Sequence, residues 1–344
     1  MNSGLRVAIA ACLLAWACIG CRVERAPDRA GADALVGPHD GEYLVPDYDD
    51  RAWLVHLPPS YDGSKPVPVV LGMHGGGGDK EGFARTTCPE GNPDASSCIL
   101  RVADREGFAV VMPDGVPQGL RGGRHWNAGG GSDEYRCVGG DACAEGSDDL
   151  AYLDAVLDEV RRAVYVDPLR VYATGISNGA AMSHRLACDR AEVIAAIAPV
   201  AGANQALAVP GCTPSRPVPV AHFHGMADPC WGFDGAIETS VCGSVEDGKF
   251  MEPEKSHAFW LEANGCDGEA TFPVPDTTSD GTTTTRRVGR TCDADTELWV
   301  VEGGGHAWPG GWPYLGERLI GKVPRDYSAT EAIWTFFAAH PRTP

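Results

Sequence analysis

Three residues of this chain carry the side chains of nucleophilic acyl transfer, and each follows a run that reads as a buried strand. Gly175-Ile176-Ser177-Asn178-Gly179 comes after the run Leu169 to Ala173 and before a small-residue helix, Ala180 to Cys188. A Gly-x-Ser-x-Gly stretch in that setting turns the chain sharply and presents the serine at its apex. The glycines stand where a Cβ would strike the neighbouring strand or helix. Asp228 follows the run Val218 to Phe223, and His306 lies in the Gly-rich stretch after Glu297 to Val301. A serine hydroxyl is a weak nucleophile unless an imidazole takes its proton and a carboxylate holds that imidazole in one tautomer. Ser177 is therefore the candidate nucleophile, His306 the base and then the acid, and Asp228 the orienting carboxylate, with Asp234 the second choice. His74-Gly75-Gly76-Gly77-Gly78 follows the apolar run Val67 to Met73. The backbone N–H groups of Gly75 and Gly76, with that of Asn178 at the helix start, are candidate donors to a tetrahedral oxyanion. Trp126 and Trp308 are candidate substrate-binding walls, and Trp312 is a further ring that could stack on substrate. The chemistry calls for no metal or organic cofactor. His222 and His224 share one face of a strand, but the sequence supplies no third ligand beside them.

Positioning these groups requires strands that alternate with helices. The spacing predicts strands over Arg51 to Leu57, Phe108 to Met112 and Val193 to Val200. It predicts helices over Ile99 to Glu106, Leu150 to Val164, Glu254 to Asn264 and Ser328 to His340. Ser147-Asp148-Asp149 reads as the cap of the second of these helices, with both aspartates capping rather than ligating. Arg121 to Gly146 reads as a long Gly-rich loop, and Thr271 to Arg290 as a surface hairpin or loop. The alternation predicts an α/β fold with a mostly parallel central sheet and helices on both faces. In that fold the order Ser177, Asp228, His306 is the order of the α/β-hydrolase triad. No internal repeat or second domain boundary interrupts the pattern.

Composition narrows the partners. Lys and Arg number 28 against 47 Asp and Glu, for a net charge of −19. No basic stripe is present, which argues against nucleic acid as a partner. Arg6 precedes the apolar run Val7 to Ile19, too short to span a bilayer and suited to a signal peptide. The run ends at Cys18-Ile19-Gly20-Cys21, which resembles a bacterial lipobox with Cys21 as the lipidated residue. The expected organisation is a lipoprotein-type signal peptide over 1–20, a flexible tether over 21–40 and a catalytic domain over 41–344. The expected location is outside the cytoplasm, lipid-anchored at the envelope or secreted, with the lipid as the only membrane contact. Of thirteen cysteines, Cys12, Cys18 and Cys21 belong to the leader and its end. Ten remain, an even set that implies disulfides in an exported chain. Sequence neighbours suggest 88–98, 137–143, 188–212, 230–242 and 266–292.

Several blocks are more specific than the elbow alone: LGMHGGGGDKEGFART, FAVVMPDG, HWNAGG, VYATGISNGAAMSHRLAC, HFHGMADP, GGGHAWPGG and SATEAIWTFFAAHP. Over roughly Gly41 to His340 the chain resembles the secreted polyhydroxybutyrate depolymerase and feruloyl esterase group of α/β-hydrolases, including its lipoprotein members. The resemblance implies Ser177, Asp228 and His306 as the triad of a serine esterase acting on carboxylic esters. Such substrates include feruloyl or acetyl esters of polysaccharide and short hydroxyalkanoate polyesters. The stretch after HWNAGG up to Gly146 is longer than expected in relatives, and Cys230 to Thr291 follows no family pattern. A serine peptidase with the same triad is a second reading, because a triad and an oxyanion hole do not separate esters from amides. A surface-anchored binding protein on an inactive hydrolase scaffold is a third, although such a protein need keep none of the three residues.

Overall fold

The apolar run Val67–Met73 forms a strand with every residue buried, and the sheet is built outward from it. A computed structural model of the chain describes residues 26, 28–30, 34–48, 51–118, 123–239, 242 and 248–343. In chain order the strands are β1 (His39–Leu44), β2 (Ala52–Leu57), β3 (Val67–Met73), β4 (Ala109–Pro113), β5 (Val116–Gln118), β6 (Gly123–His125) and β7 (Val166–Ile176). They continue with β8 (Ile197–Val200), β9 (Val220–Gly225), β10 (Glu269–Pro273), β11 (Thr283–Gly289) and β12 (Thr296–Glu302). Among the described residues ten of these join in one sheet, in the order β1-β2-β4-β3-β7-β8-β9-β12-β11-β10. The central strands β4, β3, β7, β8, β9 and β12 run parallel to one another. The two outer pairs on each side join antiparallel.

The helices are α1 (Lys80–Thr86), α2 (Ile99–Glu106), α3 (Asp141–Ala144), α4 (Asp149–Ala163), α5 (Asn178–Asp189), α6 (Pro253–Ala263), α7 (Glu317–Ile320) and α8 (Ala329–Ala339). Successive strand residues point to opposite faces, and β3 shows the consequence. Val69, Leu71 and Met73 enter a core with Leu153 of α4, Met182 of α5 and Trp260 of α6. Val70 enters the other core with Phe83 of α1, Val102 of α2 and Phe337 of α8. A central strand must then be apolar throughout, which is how its sequence reads.

The structure corrects three sequence expectations and extends a fourth. The stretch 21–40 is not a free tether along its described part: Ala26 and Leu35 are only 2% and 7% exposed. They join the core beside α4, and the Arg29 N–H donates to the Arg162 carbonyl. The long loop over 121–146 contains β6, which pairs antiparallel with β5, and the short helix α3. Thr271 to Arg290 does form the expected hairpin, β10 with β11, and the addition to that expectation is that β11 pairs with β12 and so extends the main sheet. Asp148 caps α4 through the Ala151 N–H, but Asp149 does not cap. It is buried against Arg51 at 2.6 Å and accepts the Asn127 N–H. A buried carboxylate needs a partner of this kind, and Arg51 is far from it in sequence.

Disulfides join Cys88–Cys98, Cys137–Cys143, Cys188–Cys212, Cys230–Cys242 and Cys266–Cys292. Five disulfides fit an extracellular, oxidising setting. The signal peptide expected over 1–20 and the expected lipid site at Cys21 fall outside the described residues. Among the described residues no helix is long and apolar enough to cross a membrane.

Candidate active site

Ser177, Asp228, His306 and the glycine loop at Gly75 lie just past the carboxyl ends of parallel strands, where open α/β sheets form their sites. Ser177 follows β7 and precedes α5, with φ 57° and ψ −120°. A side-chain-bearing residue at positive φ is strained, and the turn must hold it there. Ser177 N–H donates to the Val200 carbonyl, and its own carbonyl accepts from Ala181 N–H. The flanking glycines have definite reasons. A Cβ on Gly175 would stand 2.6 Å from the Gly179 carbonyl, and one on Gly179 would stand 2.3 Å from the Met73 oxygen. Gly179→Ala is expected to cost about 3 kcal/mol or more, because the obstacle is backbone rather than a movable side chain. Denaturant unfolding reads this directly; a variant as stable and active as the wild type would mean that this contact does not shape the elbow.

Asp228 and His306 meet. His306 Nδ1–H donates to Asp228 Oδ2 at 2.7 Å, and Asp228 Oδ1 accepts the N–H groups of Cys230 and Trp231, each at 2.8 Å. Since Nδ1 carries the proton, His306 keeps Nε2 as an acceptor. Tyr314 hydroxyl donates to the His306 carbonyl, which fixes the histidine's backbone. Ser177 and His306 line the same cleft. Among the described residues no hydrogen bond joins Ser177 to His306, a bond of the kind that often tightens only when substrate is bound.

The glycine loop is pinned from several sides. His74 Nδ1–H donates to the Gly75 carbonyl at 2.8 Å, and its Nε2 accepts the Gly115 N–H at 2.9 Å. Burial lowers the His74 pKa to about 4, so the ring is neutral and keeps this donor–acceptor arrangement. Gly77 and Gly78 N–H are engaged by the Arg124 and Gly75 carbonyls. A Cβ placed on Gly75 would lie 3.5 Å from Ser177 Cβ, and one on Gly76 would lie 3.7 Å from Asn178 Cβ. Gly75, Gly76 and the first turn of α5 thus flank Ser177. Asn178 also clamps with its side chain: Oδ1 accepts Trp126 N–H at 2.7 Å and Nδ2 donates to the Trp126 carbonyl at 2.9 Å.

Trp126 and Trp308 are not walls of the cleft. Both are fully buried. Trp126 donates its indole N–H to the His74 carbonyl, and so braces the glycine loop from behind. Trp308 packs edge-on against Phe83 and donates to Thr330. The cleft, about 430 Å³, is lined instead by Phe83, His125, Phe250, Trp312, Tyr314 and Leu315 among others. Trp312 carries the Arg85 guanidinium 4.0 Å from its ring centroid. His74 and the side chain of Asn178 were missed as supports of the site. The position of His74 at the head of the glycine run was the available signal.

One group of metal-type ligands converges among the described residues: Asp228, Cys230 and His306. The Cys230 sulfur is bound to Cys242, and the other two are bonded to each other, so the group is spoken for. His222 and His224 are hydrogen-bonded to one another rather than splayed toward a shared ion.

Five buried histidines have lowered pKa values. Burial brings His74 to about 4 and His184 to about 3, and it lowers His222, His224 and His257 as well. Each folded value lies below the free value of 6.5, so between the two the unfolded chain binds protons that the folded chain refuses. Their contribution to stability is complete above pH 6.5 and is lost as pH falls from there through about 4. The melting temperature is expected to drop steeply over that window; a flat profile from pH 7 to 4.5 would contradict the burial of neutral imidazoles.

The protein NocK of Nocardia uniformis subsp. tsuyamanensis, assigned as an esterase, is 32% identical to this chain over 298 residues, covering 83% of this chain and 78% of that one. The chain belongs to the polyhydroxybutyrate depolymerase and feruloyl esterase family of α/β-hydrolases. A member of this family is a carboxylic ester hydrolase. Feruloyl esterase B of Piromyces equi is 27% identical over 261 residues, covering 75% of this chain and 42% of that one, so the chain spans less than half of that relative. The solved acetyl xylan esterase of Aspergillus awamori shares the fold, with a TM-score of 0.50 at 17% identity, over 78% of this chain and 94% of that one. No protein-family model matches the chain.

Proposed function

We propose that this chain is an exported serine esterase that works through Ser177, His306 and Asp228 and an acyl-enzyme. The observation that carries the reading is the buried Asp228–His306 hydrogen bond at the same sheet edge as the strained Ser177 elbow. His306 Nε2 takes the Ser177 proton as Oγ attacks the ester carbonyl. The N–H groups of Asn178 and of Gly75 or Gly76 stabilise the oxyanion, at about 3–4 kcal/mol per donor. His306 returns the proton to the leaving alcohol, and water then releases the acid by the same steps reversed. Export with a lipid on Cys21 belongs to this proposal, because processing there leaves the ten cysteines that pair in five disulfides.

The proposed substrates are feruloyl or acetyl esters of polysaccharide, or short hydroxyalkanoate polyesters. Trp312, Phe83 and Phe250 along the cleft favour an aromatic acyl group. The test is hydrolysis of methyl ferulate, methyl acetate, acetylated xylan and a hydroxybutyrate oligomer by the oxidised protein. Trp312→Ala is expected to lower kcat/KM for methyl ferulate about tenfold, the loss of roughly 1.4 kcal/mol of ring contact, and to leave methyl acetate within about twofold. Equal losses on both esters would rule out Trp312 as the aromatic platform. Failure to hydrolyse any ester would count against the assigned activity.

A further inference from the structure

We infer that His224 is a positioning residue for the acid: it holds the turn from Asp228 to Trp231 so that Asp228 keeps His306 in its productive tautomer. The inference rests on the triad assignment above. His224 lies near the end of β9, and its side chain is wholly buried. Its Nε2 is 2.7 Å from the Trp231 carbonyl oxygen. A carbonyl can only accept, so Nε2 carries the proton and Nδ1 carries a lone pair. His222 Nε2, 3.3 Å from that Nδ1, is then the donor to it. The two histidines singled out in the sequence as neighbours on one strand face thus form a directed donor chain that ends on Trp231.

Trp231 passes the constraint to the acid. His224 grips it by its carbonyl, and its own N–H donates to Asp228 Oδ1 at 2.8 Å. The same His224 Nε2 lies 3.6 Å from Asp228 Oδ2, the oxygen that accepts from His306. That separation is too long for a hydrogen bond, but it sets the edge of the His224 ring directly beside the carboxylate. Charge state matters here. Burial lowers the His224 pKa against the opposing pull of Asp228 and the Trp231 carbonyl. A neutral ring leaves the Asp228 charge to the imidazolium that forms on His306, whereas a cation would compete for it. The indole of Trp231 is fixed as well, donating to the Met251 carbonyl at 2.9 Å and lying against Phe250, which lines the cleft.

A histidine that merely fills the core would affect stability alone. The test places His224→Ala and His224→Gln in the wild-type protein and in Asp228→Asn, with kcat and KM measured on one soluble ester and folding followed by circular dichroism. In the wild-type background His224→Ala is expected to lower kcat about 10–100-fold, the usual effect of removing a group that orients a functional side chain, with KM within about threefold. His224→Gln, whose amide N–H can reach the Trp231 carbonyl, recovers much of the loss. In the Asp228→Asn background His224→Ala costs less than about threefold, because the group it positions is already disabled. Should the alanine variant not fold, His224→Asn replaces it, since its shorter amide does not reach Trp231, and the same outcomes apply. Unchanged kcat in a folded variant, or equal losses in both backgrounds, overturns the inference while the triad stands. If Asp228→Asn alone stays within about tenfold of wild type, the triad assignment falls and this inference falls with it.

Discussion

Ser177→Ala is expected to lower kcat on any ester substrate by about 10⁴–10⁶-fold, with KM little changed. The serine sits at φ 57°, and alanine at the same place bears the same backbone strain and loses only the hydroxyl. Fold and stability are therefore expected to stay within about 0.5 kcal/mol of wild type. Gly75, Gly76 and the first turn of α5 remain around an unchanged elbow, so residual catalysis over water of about 10³–10⁴ is expected from the oxyanion donors and binding. Circular dichroism and steady-state kinetics on one protein preparation decide this. A folded variant with more than about a hundredth of wild-type turnover would remove Ser177 from the nucleophile's role.

Asp228→Asn is the second large effect, expected at about 10⁴-fold in kcat with the fold intact. The isostere preserves volume, and its amide oxygen can still accept from Cys230 and Trp231, which both bond to Oδ1 in the native protein. Its NH₂ group then faces His306 Nδ1 at the place where Oδ2 accepted the Nδ1–H hydrogen bond. Two donors cannot share that contact, so the imidazole must move its proton to Nε2. In that tautomer His306 has nothing with which to accept the Ser177 proton. A loss of less than about tenfold would show that another group orients the imidazole.

Much of this arrangement was legible in the sequence, for identifiable reasons. Val67 to Met73 is apolar without a break because helices cover both faces of β3, and its span was read correctly to the residue. The elbow was readable because glycine is demanded at both positions by nearby backbone. The five disulfides follow sequence neighbours, since each closes a local excursion between elements. What could not be read depends on long-range pairing. Asp149 looked like a cap because its partner, Arg51, stands just before β2, far away in the sequence. Trp126 and Trp308 looked like pocket walls because a tryptophan near a site suits either role. Only the fold shows that their indole N–H groups are taken by His74 and Thr330 inside the core. The stretch before β1 looked like a tether because the two residues that bury, Ala26 and Leu35, stand far apart among polar and small residues and form no period of a strand or helix.

The measurement that tests the central claim most directly is active-site labelling of the oxidised protein with a fluorophosphonate, followed by mass spectrometry of the intact chain and its peptides. The account predicts one adduct per chain, located on Ser177, appearing in step with loss of ester hydrolysis and absent from Ser177→Ala. An adduct on another residue, or full hydrolytic activity in protein that takes no label, would contradict it.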